Sequence, residues 1–257
     1  MNARGVAGRR QTEQRTGRNV WRTMKTVLLL VLVGELGVAL YTSPALSVKQ
    51  VIVEGTVLTR PEQVIREIGI SNNSSWVFLP MSRIAHRVQL LPTVAEAVVS
   101  RGMPGKVYVR VFERQPVALL LTKDGGYWVD EQGVAFWQTT QARGLSIIRS
   151  EAQLPVTVGR AVQNKPVQTA IEILHRYVPE YRLPVAQIVV DREGNLCLNM
   201  KEGLPPVKIG SSVDLPQKMV RTAELWAQPQ IVRQAEYLDV SCVDKPVWKP
   251  REKKGAM

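Results

Sequence analysis

Two histidines, His86 and His175, and two cysteines, Cys197 and Cys242, are the only imidazoles and thiols in 257 residues. Both histidines fall in stretches of helical spacing, where each reads as a surface or satisfied side chain. A metal site needs several closely spaced His, Cys or carboxylate ligands, and neither cysteine has such company. Glu113-Arg114 resembles an acid beside its partner. Adjacent residues of a strand point to opposite faces, so the pair cannot act together on one substrate atom. With Pro116, which fixes φ and lacks a donor, Glu113 and Arg114 read instead as structural residues at a domain junction. Gly102-Met103-Pro104-Gly105-Lys106 has the wrong spacing for a phosphate cradle and reads as a turn. No nucleophile elbow, Walker loop or dinucleotide fingerprint occurs, so the chain is not expected to be an enzyme, and no cofactor or metal is expected.

What remains is recognition. An unpaired strand edge presents a row of N–H and C=O groups to which a partner can add a strand. The last strand of the pattern, 236–243, is the candidate. Tyr237, Asp239 and Ser241 alternate there with Leu238, Val240 and Cys242, so one set packs inward and the other faces out. Trp248 follows on the end of the chain, either as an aromatic anchor for a partner or folded back onto the core.

The elements that must position these residues begin with a charged leader. Residues 1–25 carry seven basic side chains against the single acid Glu13, half of the net charge of +12. The apolar run VLLLVLVGELGVALY over 27–41 follows at once. A basic flank before an apolar run predicts a membrane helix with its N-terminus in the cytoplasm. Residues 26–46 are the expected span, with Trp21 and Tyr41 at the interfaces and Arg22 and Lys25 free to snorkel. Glu35 interrupts it, and either tilts toward water or protonates, or faces a partner helix. A cleaved signal peptide is the competing reading, with small Ser43 and Ala45 near a cleavage site. The long basic region and the intervening Pro44 favour an uncleaved anchor. The remainder has 27 basic and 21 acidic residues, a mildly basic ectodomain rather than a nucleic-acid binder. Outside the membrane a Cys197–Cys242 bridge is permitted, and ordinary strand positions are the alternative.

Beyond the span, 48–55 alternates and stops at Gly55, as a strand and turn do. Thr59-Arg60-Pro61-Glu62 reads as a helix start, with Thr59 as N-cap and Glu62 closing a capping box. Val64, Ile65 and Ile68 give the apolar stripe. A second helix starts near Pro80 with Ile84, Val88 and Leu91 on one face, and strands follow at 94–101 and 105–112. The unit is β-α-α-β-β. Further strands are expected at 116–122, 126–130, 133–137, 185–190, 195–200 and 206–209, and helices at 166–178 and 213–227.

This order resembles the FtsQ/DivIB family of bacterial cell division proteins, over residues 20–248. Val48–Gly55 is similar to the family's opening strand ending in V-x-G. Leu91-Pro92-Thr93-Val94 with Ala97, Val99, Arg101 and Pro104 resembles its "LP-x-V…A-x-V…R…P" segment. Residues 111–118, VFERQPVA, resemble its "V-x-E-R-x-P-x-A" junction. Asp130, Gly133 and Phe136 fit "VD-x-x-G-x-x-F", Leu154-Pro155 and Gly159 fit "LP…G", and Gly210 with Lys218 fits "LG…K". Ser241 and Cys242 depart from the Arg and aromatic residue often found after Tyr-x-Asp.

The resemblance implies an α+β chain: a basic cytoplasmic tail (1–25), a single transmembrane helix (26–46), a POTRA domain (47–114), a larger, mostly antiparallel β-domain with helices (115–245) and a basic C-terminal tail (246–257). It implies a scaffold at the division septum, with the POTRA domain serving recruitment. The β-domain would bind FtsB/DivIC-like and FtsL-like membrane coiled-coil proteins through Tyr237, Asp239, Ser241 and Trp248. The septal penicillin-binding protein complex is a further expected partner. The alternative is a POTRA-containing translocation or membrane-assembly module, but such barrels need many more strands than remain here. A membrane-bound peptidoglycan enzyme lacks the residues for catalysis.

Overall fold

A computed structural model describes residues 7–42, 46–71, 74–103 and 105–251, and within the first helix the side chains of 21–39. That helix, α1, runs Ala7–Thr42. From Val27 to Val38 its large apolar side chains are exposed. Among the described residues no helix is long and apolar enough to cross a membrane. Arg22, Lys25 and Glu35 all fall in the stretch with described side chains, and the far end of the expected span, 40–45, lies outside it. Residues 1–6 of the basic leader also lie outside the described part.

The chain falls into two compact units, one of residues 1–54, 62–85 and 98–110, the other of 55–61, 86–97 and 111–257. The first contains α1, β1 (Gln50–Glu54) and α2 (Pro61–Ile68), with parts of α3 (Met81–Gln89), β2 (Val94–Arg101) and β3 (Lys106–Glu113). The three strands form a sheet of order β1-β3-β2, with β1 parallel to β3 from Gln50↔Lys106 to Glu54↔Arg110. The stripe expected on α2 narrows: Val64 and Ile68 are buried while Ile65 stays largely exposed. Thr59 is not the N-cap of α2, which begins only at Pro61. Its hydroxyl lies instead 2.6 Å from the hydroxyl of Thr93. In the first unit Arg101 donates to the carbonyls of Trp76, Val77 and Leu79 at 3.1, 2.9 and 2.7 Å, tying down the loop before α3.

The second unit holds a ten-stranded sheet of order β13-β12-β11-β10-β9-β7-β4-β5-β6-β8. The hairpin strands β4 (Ala118–Thr122), β5 (Gly125–Val129) and β6 (Val134–Gln138) lie where the Asp-Gly and Gln-Gly turns place them. The strands β7 (Ser146–Ser150) and β8 (Arg160–Ala161) were not expected. The helical stretch α4 (Lys165–Glu172), a π-helical turn (Ile173–Tyr177) and α5 (Val178–Tyr181) connects them to β9 (Val185–Val190), which is parallel to β7. Pro179 explains the π turn. A proline has no N–H and its ring clashes with the carbonyl four residues back, and the wider turn, closed by Val178 N–H to Ile173 C=O, accommodates it.

Strand β10 (Leu196–Met200) pairs antiparallel with β9 and with β11 (Val207–Gly210). Helices α6 (Leu215–Trp226) and α7 (Pro229–Gln234) then return the chain to β12 (Ala235–Asp239), parallel to β11. The last strand, β13 (Val247–Pro250), is antiparallel to β12. Alternation sorts the sheet's side chains onto two faces. Leu120, Val129, Ile148, Ile188, Leu198 and Leu238 join Ile171, Leu174 and Met219 of the helices in the main core. On the opposite face Leu119, Trp128 and Phe136 form a smaller cluster, with Leu58 packed against it.

Candidate functional site

The junction residues form one satisfied polar network within the second unit. Glu113 ends β3, and its carboxylate accepts from three successive backbone N–H groups, Val57 at 3.0 Å, Leu58 at 2.9 Å and Thr59 at 2.7 Å. Successive N–H groups turned to one point make a concave anion seat. Burial alone would raise the Glu113 pKa, but the N–H groups of Leu58, Thr59 and Val57, with the Thr59 hydroxyl, outweigh it and hold the carboxyl below its ordinary value. Gly55 precedes the seat at φ 85°, where an added Cβ would stand 2.2 Å from the Val111 carbonyl oxygen; only glycine fits there.

Arg114 turns the other way. Its guanidinium donates to Asp130 Oδ2 at 2.5 Å and to the Pro92 carbonyl at 3.2 Å, and its N–H to the Thr93 carbonyl at 2.9 Å. The Arg114 and Asp130 side chains are only 15% and 7% exposed. Asp130 Oδ1 accepts from the N–H groups of Gln132 and Val134, closing the β5–β6 turn around Gly133, which has φ 76°. Gln115 and Pro116 carry the chain from this network into β4, and Val117 N–H joins the sheet through the Val129 carbonyl. A cavity of about 300 Å³ lies beside the network, with Glu131 and His175 paired at 3.2 Å on its wall. Every charged group of the network is engaged by the protein itself, so the arrangement holds the chain in place.

The end of the ten-stranded sheet carries the expected recognition residues. Strand β12 is not a free edge: β11 lies on one side of it and β13 on the other. The strand also stops at Asp239 rather than reaching Val243. Leu238 and Val240 give their N–H groups to Pro206 and Lys208 on the β11 side. The alternate residues Tyr237 and Asp239 therefore turn their backbone groups toward β13, where Lys249 and Val247 stand opposite them in register. The outer edge of β13 is left to Pro246, Trp248 and Pro250. Prolines have no N–H, so among the described residues of that edge Trp248 is the one left with a backbone donor.

Side chains follow the same alternation. Leu238 and Val240 are buried, Tyr237 and Asp239 half-buried and Ser241 exposed, whereas Cys242, expected inward, is exposed. Trp248 is not on a free end: it is half-buried in β13 and packs against the main core. Lys249 pairs with Glu236 at 2.9 Å. Arg251 donates to the carbonyls of Ala235 at 2.9 Å and Gly203 at 3.0 Å, fastening the strand. The Lys208 ammonium stands 3.9 Å from the centroid of the Tyr237 ring, and Asp239 Oδ1 accepts from the Ser241 N–H at 3.0 Å and hydroxyl at 2.6 Å. Cys197 and Cys242 are free thiols.

Two family models match this chain in order. One, the POTRA domain of FtsQ type, covers residues 46–114; the other, the C-terminal domain of cell division protein FtsQ/DivIB, covers 118–241. The chain belongs to the FtsQ/DivIB family of cell division proteins. Curated relatives agree across most of its length. It is 27% identical to the cell division protein FtsQ of Mycobacteroides abscessus over 91% of this chain and 72% of that protein. The cell division protein FtsQ of Mycolicibacterium smegmatis is 26% identical over 96% of this chain and 71% of its own length. That of Streptomyces bingchenggensis is 27% identical over 80% and 77%.

The structure gives the family-like segments physical roles. The E-R pair of residues 113–114 grips three chain segments, 57–59 through Glu113 and those of Pro92 and Asp130 through Arg114. Asp130 of the VD-x-x-G turn is the partner of Arg114, a pairing that strand periodicity does not signal. Lys218 is 3% exposed, and its ammonium donates to the Ser211 carbonyl at 2.9 Å, bracing the turn between β11 and α6. Lys208, absent from the expected site residues, stands beside Tyr237 because it lies opposite Asp239 in the parallel β11–β12 register.

Proposed function

We propose that this cell division protein is a bitopic membrane scaffold that links septal recruitment, through the β-α-α-β-β unit, to FtsB/DivIC-like and FtsL-like partners held at the end of the large sheet during septal peptidoglycan synthesis. The observation that carries the anchor is α1. From Val27 to Val33 every side chain is apolar and exposed, covering nearly two turns of the helix before Glu35. A helix apolar all round belongs in a nonpolar medium. The basic residues before it orient its start to the cytoplasm. Residues 40–46, with Tyr41, complete the expected length.

The partner reading rests on the outer face of β11–β13. Tyr237 held by Lys208, Asp239 with Ser241, and the 55% exposed Val247 lie together there beside the single edge donor of Trp248. An aromatic side chain in such a patch is the usual anchor of an interface, and truncating one costs roughly 2 kcal/mol or more. That is about thirtyfold in affinity.

The test uses the full chain in two settings. A fluorescent fusion should gather at the division septum and disperse when residues 1–46 are removed. Calorimetric titration of the detergent-solubilised protein with the extracytoplasmic segment of an FtsB/DivIC-like partner should show saturable binding, weakened about thirtyfold by Tyr237→Ala. Septal gathering without residues 1–46, or equal binding by folded Tyr237→Ala, sinks the corresponding half of the proposal.

A further inference from the structure

A cleft of about 720 Å³ opens where the β4–β5 turn, the end of β7 and the β9–β10 turn meet. Its volume lies in the range of small-ligand sites. Three cations from three separate places line it: Lys123 on the first turn, Arg149 on β7 and Arg192 on the second turn. Arg149 is held on the most rigid of these supports. Strand β7 lies between β4 and β9, and Arg149 is in register with Leu121 on one side and Val189 on the other.

Among the described residues none of the three cationic side chains makes a hydrogen bond or an ion pair with the protein. Some of the molecule's other arginines are instead held by the protein. Arg101, Arg114 and Arg251 are tied to carbonyls, and Arg110 and Arg221 to carboxylates. Like charges gathered in one cleft repel one another, and an anion seated among them removes that cost. Guanidinium forks match carboxylate and phosphate oxygens in two-point contacts. Asp124 and Glu151 also line the cleft and pair with none of the three cations. The cleft thus carries three positive charges against two negative. That small excess suits one oxyanion group and disfavours a polyanion.

We propose that this cleft is a binding site for a ligand presenting a single oxyanion group, a phosphate or a carboxylate. The site is separate from the sheet end and does not rest on the scaffold reading.

The experiment follows the melting midpoint of the full, detergent-solubilised chain as inorganic phosphate or acetate is added at constant ionic strength, with chloride as reference. One of the two anions should raise the midpoint saturably, and which one does so distinguishes phosphate from carboxylate recognition. Arg149→Ala and Arg192→Ala should each raise the half-saturating concentration about tenfold or more, since each removes a charge-assisted contact. Arg221→Ala, remote from the cleft, should leave it unchanged. Arg192 lies on an exposed turn, so its variant decides the matter even if Arg149→Ala fails to fold. No saturable rise with either anion beyond that of chloride overturns the proposal. So does a rise that persists undiminished in a folded arginine variant.

Discussion

Replacing Arg114 by alanine removes the shortest ion pair among the described residues. The change removes the contact to Asp130 at 2.5 Å and the donation to Pro92 at 3.2 Å. It leaves Asp130 Oδ2 buried without its counter-charge. Both side chains are well under a third exposed, so solvent screens the loss little. Removing one partner of a buried pair costs about 3–5 kcal/mol. The low end applies here, because Asp130 Oδ1 keeps its two backbone N–H donors. At about 3 kcal/mol, and about 2–4 °C per kcal/mol for a domain of this size, the melting midpoint should fall by about 6–12 °C. Circular dichroism melts of the full chain in detergent would read this. Hydrogen exchange at Thr93–Val94 and Gln132–Val134 should rise together, since one guanidinium organises both segments. Arg114→Lys should recover part of the loss as a point charge without the fork. Asp130→Asn on the Arg114→Ala background should be less costly than the two changes added, because it removes the orphaned charge. A midpoint within ~2 °C of wild type, a shift worth less than about 1 kcal/mol, together with unchanged exchange, would refute the assigned role.

Two further outcomes follow from the titrating groups. Glu113 has its pKa lowered in the folded state, so its contribution is present above the unfolded value of about 4.3 and is lost as pH falls through the folded value. Glu113→Gln should therefore be less stable than wild type at neutral pH, with the gap closing in acid; denaturation curves that stay equally spaced down the pH series count against the N–H seat. Burial raises the Cys197 thiol pKa, with Lys208 opposing and Asp239 adding to the rise, and Cys242 is exposed. At about pH 8, below the free-thiol value, iodoacetamide should label Cys242 first and Cys197 only slowly, and mass spectrometry finding the reverse order would contradict the burial.

Local signals carried the sequence reading where partners are near in the chain. The β-α-α-β-β unit, the β4–β5–β6 hairpins and helices α4 and α6 follow from alternation, turn residues and prolines. They failed where pairing is distant. Strand β7 is five residues long and takes its neighbours from Leu119 and Gln187, opposite Ile147, so nothing beside it in the sequence marks it. The Thr59 cap was misread because a buried hydroxyl partner, Thr93, lies 34 residues away. The Arg114–Asp130 clamp was likewise invisible, since strand periodicity assigns a face but not a partner.

Strand β13 shows why the sheet end was misjudged and what that changes. Residues 246–257 read as a tail from their basic composition, and Pro246 and Pro250 give no strand signal against that, since proline is depleted in strands. An edge strand tolerates proline when the missing N–H faces outward, and parity puts both prolines on the outward side of β13. The strand thus satisfies the groups that Tyr237 and Asp239 turn outward, and it presents almost no donors of its own. Natural sheets blunt their edges in this way against uncontrolled strand addition. The outward carbonyls can still accept from a partner, but the prolines leave the ladder on that side short of donors, and each bond it does make is worth about 0.5–1.5 kcal/mol net. A buried aromatic contact supplies more, roughly 2 kcal/mol. On the proposed reading, specificity at this end of the sheet would be weighted toward the side chains of the outer face, where the register gathers Lys208, Tyr237, Asp239 and Val247. Lys208 stiffens Tyr237 by standing over its ring, an interaction of about 0.5–1 kcal/mol at an exposed site. A ring already held in place loses less freedom when a partner covers it.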